Sequence, residues 1–143
     1  MHFVTGGAFN GKRAWVKKRY PQSEWHSAYE GDRLVPNPFT LPSRVMVLEG
    51  LEEWIKQSIL DREPEEFRSH WRNILHEWQQ WEEMDSESQV IFIGTDITKG
   101  IVPMEKESRI WRDMTGWVYQ DLAGCCERVD VIWYGLNQTI KGD

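Results

Sequence analysis

Short apolar runs that end at glycines alternate along this chain with longer stretches of helical periodicity. His2 to Thr5 runs into Gly6-Gly7, Arg44 to Leu48 into Glu49-Gly50, Val90 to Ile93 into Gly94, and Val129 to Trp133 toward Gly135. Continuous apolar runs of this length suit strands that are buried on both faces of a parallel sheet. Between them, Lys12 to Tyr20 predicts a helix with Ala14, Trp15 and Val16 available to a core and Pro21 marking its end. Leu51 to Leu60 predicts a second helix, and Asp61-Arg62-Glu63-Pro64 opens a third with proline in its favoured first turn. Along that third helix Phe67, Trp71, Leu75 and Trp78 recur at steps of four, four and three, which draws one apolar stripe. Pro103 to Cys126 predicts a fourth helix. The stretch from Pro21 to Pro42, rich in Pro, Ser, Gly and Asn, reads as a long surface loop.

Alternating strands and helices predict an α/β fold: a P-loop-type three-layer sandwich with a mostly parallel sheet covered on both faces. Residues 1–143 are expected to form a single domain, because a chain of this length builds one core. Ligands in such folds bind at the carboxyl ends of the strands, which directs attention to the residues that follow each apolar run.

Composition narrows the function. A net charge of -6 argues against non-specific nucleic-acid binding, which needs a basic surface. The apolar residues before Gly6 are too few for a signal sequence, and no run is long enough to span a membrane, so a cytoplasmic location is expected. The only cysteines, Cys125 and Cys126, are adjacent and read as small apolar fillers rather than a disulfide framework or zinc site. Nine tryptophans in so short a chain point to a core or subunit interface built from large rings. His70 and His76, six residues apart, do not share a helix face and read as surface residues.

The segment Gly6-Gly7-Ala8-Phe9-Asn10-Gly11-Lys12-Arg13 fits the phosphate-binding pattern G-x-x-x-x-G-K-[ST] at every position except the last. Such a loop works because successive backbone N–H groups surround an anion, glycines permit the required geometry, and a helix N-terminus adds its dipole. Lys12 is the candidate for reaching the terminal phosphates of ATP or GTP. Arg13 stands where a hydroxyl normally serves Mg²⁺, and a guanidinium has donors only. Glu49, at the end of the second apolar run, is the candidate acidic residue for Mg²⁺ or its waters, with a helix-terminal carboxylate as the plainer alternative. Asp96 is a weaker candidate of the same kind.

The C-terminal stretch adds a resemblance. Gly100-Ile101-Val102-Pro103, Arg109, Arg112-Asp113, Gly116, Val118, Gln120, Leu122-Ala123, then Val129, Gly135 and Ile140-Lys141 resemble the closing pattern of the bifunctional adenosylcobinamide kinase/adenosylcobinamide-phosphate guanylyltransferase family. Thr5-Gly6-Gly7-Ala8 with Gly11-Lys12, and Val47-Leu48-Glu49, are similar to that family's loop and its Glu-ended strand. The resemblance implies a parallel P-loop sheet, a homo-oligomer that is typically a trimer, and two activities. These are phosphorylation of the aminopropanol arm of adenosylcobinamide and transfer of GMP onto that phosphate. Nucleotide and a cobinamide-type corrinoid are then the expected partners.

The chain departs from that pattern at Asn10, Arg13 and Tyr119, where the family has Ser, Ser and Asn. Between the first helix and Glu49 the family carries a longer segment with a second strand and a guanylylated histidine. Here only Gln22 to Ser43 fills that place; His26 is its sole histidine, and Arg33 follows seven positions later rather than four. His26 is therefore read as a plain loop histidine, and the guanylyltransferase half is expected to be lost. Two functions follow from the sequence: a reduced cobinamide-kinase-like phosphotransferase using Lys12 and Glu49, or a non-catalytic nucleotide- or corrinoid-binding paralogue that assembles with an active enzyme and modulates it.

Overall fold

The computed structural model describes residues 1–35, 37–41, 44–60, 62–97 and 105–142. Strand β1 (His2–Gly6) leads through a glycine loop into helix α1 (Lys12–Arg19), followed by β2 (Glu24–Ser27), β3 (Val45–Glu49), α2 (Leu51–Ile59) and α3 (Pro64–Met84). The chain continues through β4 (Gln89–Thr95), α4 (Lys106–Cys125), β5 (Arg128–Trp133) and β6 (Leu136–Lys141). The six strands form one sheet in the order β2-β3-β4-β1-β5-β6. All pairs are parallel except β5 with β6, which is antiparallel. This is the expected α/β sandwich with a mostly parallel sheet.

Side chains alternate across the strands, so the sheet has two distinct apolar faces. On one, Phe3, Met46, Leu48, Val90, Phe92 and Val129 meet the buried stripes of α2, α3 and α4. The α3 stripe is the one its periodicity predicts: Phe67, Trp71, Leu75 and Trp78 are all buried, and Trp81 extends it by one turn. On the other face Val4, Val47, Ile91, Ile93 and Ile132 are covered by α1, chiefly through Val16, with Trp15, Tyr20 and Trp25 at the margin. Ala14, expected to be available to the core, is exposed instead, because only Val16 and Lys12 point inward from so short a helix.

The stretch from Pro21 to Pro42 is not simply a loop. Glu24–Ser27 pairs in parallel with β3, Ser27 standing opposite Glu49, and single 3-10 turns occupy Ala28–Glu30 and Pro38–Thr40. An edge strand needs ladder hydrogen bonds on one side only, so its alternating, half-polar sequence leaves no apolar run to detect. Beyond the C-terminal helix, Cys126 is buried in the core as a small filler, while Cys125 is half-buried. His76 is exposed and His70 half-buried against Trp71. The Gly100-Ile101-Val102-Pro103 motif and the predicted start of the fourth helix at Pro103 lie outside the described residues.

Tyr119, at the position where the resembling family has Asn, lies in the core. Its ring packs edge-on to Phe3 at 4.9 Å and its hydroxyl donates to the Thr95 carbonyl at 2.8 Å. The space it fills is the side-chain position of Gly94, where a Cβ would meet the Tyr119 hydroxyl at 2.2 Å.

Candidate functional site

Register places the carboxyl ends of three strands side by side: Gly6 opposite Thr95, and Val4 and Glu49 both opposite Ile93. The chain leaves β1 toward β2 on one side, while β5 returns on its other side. This is the switch point at which open α/β sheets hold ligands. A cleft of about 930 Å³ opens there, bordered by the loop residues Ala8 to Arg13, by Glu49 and by Glu52.

The loop takes its shape from its glycines and from the β5–β6 turn. Gly6 has φ +143°, and a Cβ there would lie 2.3 Å from the Ile132 carbonyl oxygen, so β1 and β5 could not approach as they do. Gly11 caps α1 with φ +89°, in the left-handed region where glycine is favoured. Gly135 donates its amide to the Asn10 carbonyl at 2.8 Å, which seats the loop on the turn between β5 and β6. Phe9 has φ 60° with its ring fully exposed. A bulky residue in that region is a local strain that the surroundings must impose. Left-handed residues in a short loop turn successive amides toward one side, the geometry of an anion-holding nest.

Lys12 is buried, and its ammonium donates to the carbonyls of Gly7 at 2.7 Å and Gly6 at 3.3 Å. Burial lowers its pKa, opposed by the negative charges of Glu52 and Glu49. It thus stands at the floor of the cleft, among carboxylates and loop carbonyls. Glu49 is 4% exposed at the end of β3; its Oε1 accepts a hydrogen bond from the Ser27 hydroxyl at 2.7 Å, and its Oε2 lies 3.6 Å from Arg13 Nε. Arg13 also pairs with Glu30 at 2.9 Å, and its guanidinium lies 5.5 Å from the centre of the Trp25 ring. The hydrogen bond to Glu30 raises the Arg13 pKa, with partial burial opposing and Glu49 adding to the rise.

Glu52 belongs to this site and was not anticipated from the sequence. It is 3% exposed in the first turn of α2; Oε1 accepts from the Thr95 amide at 2.9 Å, and Oε2 accepts from the Tyr29 hydroxyl at 2.5 Å. Burial and the bond to Glu52 both push the Tyr29 phenol above its ordinary range. A signal was present: an acidic residue in a helix first turn, three positions after Glu49, falls beside the same strand ends. Among the described residues bordering the cleft are Thr95 and Ile97, but not Asp96 between them, whose amide instead donates to the Gly6 carbonyl at 2.9 Å. His26 stands in β2 rather than in a loop, opposite Leu48, and is not among the residues that border the cleft.

The Mg²⁺ that such a loop implies does not fit these residues. Arg13 offers no lone pair, and both Glu49 oxygens are already engaged, by a hydroxyl and by a guanidinium. Among the described residues no group of three or more His, Cys, Asp or Glu side chains could hold a metal ion. No described helix is long and apolar enough to cross a membrane.

Sheet order, loop and cleft together define a P-loop-type α/β protein. Residues 16–140 match the family model described as cobinamide kinase / cobinamide phosphate guanyltransferase, and the chain belongs to that family. Among curated proteins it is similar to the bifunctional adenosylcobalamin biosynthesis protein CobP of Pseudomonas aeruginosa, 34% identical over 55 residues. That match spans 38% of this chain and 32% of the relative, about a third of the relative's length. The loop Gly6 to Arg13 precedes the stretch matched by the family.

Proposed function

We propose that this chain binds the phosphates of ATP or GTP at the loop Gly6 to Arg13 and transfers the terminal phosphoryl group to a hydroxyl of a cobinamide-type corrinoid. The observation that carries this reading is the meeting of Gly11, Lys12, Glu49 and Glu52 at one cleft on the strand ends of a family member. In the reaction the corrinoid hydroxyl oxygen forms a bond to the γ-phosphorus, the bridging bond to the nucleoside diphosphate breaks, and the hydroxyl proton passes to water. Catalysis of such transfers is mainly positioning and charge stabilisation. Loop amides and the α1 dipole hold the triphosphate, and Lys12 moves from its carbonyl partners to the charged oxygens as they arrive. Glu49 acts by fixing Arg13 beside the loop, and Glu52 by tying Thr95 and Tyr29 to the cleft wall.

No guanylyl transfer is included, because His26, the sole histidine between α1 and β3, is not among the residues that border the cleft. The protein acts in the cytoplasm and, by family, as a homo-oligomer. Arg13 in place of a metal-binding hydroxyl favours a second reading, in which the chain binds nucleotide or corrinoid without turnover and modulates an active partner.

Calorimetric titration of the protein with GTP and ATP, beside the Lys12→Ala variant, tests the proposal. Saturable binding that weakens at least about tenfold in the variant is expected, the scale of one lost charge-assisted contact. Absence of binding by either nucleotide overturns the phosphotransferase reading and leaves the second only in its corrinoid-binding form. Binding without phosphorylation of cobinamide selects the second reading.

A further inference from the structure

Resting on the phosphate-loop reading above, we propose that Arg13 is a built-in cation standing where a divalent metal would otherwise sit, so that nucleotide binds this loop without Mg²⁺. The position is that of the residue after the loop lysine, in the first turn of α1, from which a hydroxyl would face the metal. Here a guanidinium is held on three sides: Glu30 at 2.9 Å, Glu49 at 3.6 Å and the face of Trp25 at 5.5 Å. Each contact restricts it differently. The two carboxylates attract its charge from two sides, and the Trp25 ring lies beneath it at cation–π distance.

The arrangement uses the same carboxylate twice over. Glu49, the acidic group at the strand tip best placed to hold a metal's water shell, lies within ion-pair distance of Arg13 instead. A dication entering between them would have to displace the guanidinium from Glu49 while finding no hydroxyl at position 13. Arginine also replaces part of what the metal does, because its planar fork presents several N–H donors to phosphate oxygens and its charge does not titrate. A guanidinium supplies one positive charge rather than two. Ion and side chain are therefore alternatives at this loop, selected by the residue at position 13.

The test is calorimetric titration with GTP and with ATP, in EDTA and in Mg²⁺, of the native protein and of Arg13→Ser and Arg13→Lys. Native affinity is expected to agree within about threefold between EDTA and Mg²⁺. In EDTA, Arg13→Ser should bind at least about tenfold more weakly, recovering when Mg²⁺ is added because hydroxyl and free Glu49 then make a metal site. Arg13→Lys, which keeps the charge and loses the fork, should fall between the two without a gain from Mg²⁺. Native binding that requires Mg²⁺ overturns the proposal and leaves the phosphate loop standing, as does an Arg13→Ser variant equal to native protein in EDTA. No binding by native protein in either condition removes the loop reading and this proposal together.

Discussion

Each end of the parallel sheet buries charge, and the two ends do it in opposite ways. At the carboxyl end, Lys12, Glu49 and Glu52 are buried around an open cleft, and Lys12 is bonded to carbonyls rather than to either acid. Toward the amino end, Asp130 is fully buried and saturated: it accepts from His2, Arg128, Asn137 and Thr139. His2 in turn takes a hydrogen bond at Nδ1 from the Tyr20 hydroxyl at 2.6 Å, and Tyr20 receives one from Gln89 at 3.3 Å. A carboxylate only accepts and the phenol has a proton to give, so His2 is the neutral tautomer with its proton on Nε2. Every group there has a partner within the chain. The cleft end instead keeps a cation that can change partners, which is the property a binding site needs and a structural network lacks.

The two ends are expected to respond differently to substitution. The largest effect is expected for Asp130→Ala, which strands Arg128 and His2 without their shared acceptor and should destabilise by about 3–5 kcal/mol in urea unfolding. Nucleotide affinity of the fraction that folds should be unchanged, since the cleft is at the far end.

Next is the dependence on pH. Burial lowers the His2 pKa from 6.5 to about 4, against the opposing pull of Asp130. Between those values the unfolded chain binds a proton that the folded chain refuses, so stability falls as pH falls through the window, by up to about 1.4 kcal/mol per pH unit. Burial works to raise the Asp130 pKa, but bonds from Arg128, Thr139, Asn137 and His2 hold it well below the ordinary 3.8, so its loss lies at lower pH. Urea midpoints measured across the window should show the slope in native protein and a flatter one in His2→Gln.

The smallest effect is expected for Lys12→Ala. Removing a buried cation bonded only to carbonyls should change stability by less than about 1 kcal/mol while nucleotide binding collapses. A large loss of stability in that variant would mean that Lys12 serves the fold rather than a ligand.

What could be read from the sequence follows the same division. Strands β1, β3, β4 and β5 carry continuous apolar runs because they are covered on both faces, and each was legible. Edge strands β2 and β6 were not legible from pattern alone: Glu24–Ser27 is half-polar and Leu136–Lys141 is nearly all exposed, so neither has an apolar signature. For β6, the family resemblance pointed to a closing strand where periodicity did not. The loop was legible because its glycines answer to backbone geometry, which sequence encodes one residue at a time. Glu52 was missed because its role depends on Tyr29 and Thr95, two segments that only the folded sheet brings to it. The pairing of Arg13 with Glu49 was hidden for the same reason: each residue stood out by itself, and their meeting did not.

The contact between Gly94 and Tyr119 couples two positions that lie far apart along the chain. A methyl group at position 94 and a phenol at position 119 exclude each other, since the Cβ would stand 2.2 Å from the Tyr119 hydroxyl. A larger residue at 94 therefore requires a smaller one at 119, or a shift of β4 against α4. The two positions thus behave as a lock and its key: Gly94→Ala alone should disturb the packing of α4 on β4, and pairing it with Tyr119→Asn should relieve the clash.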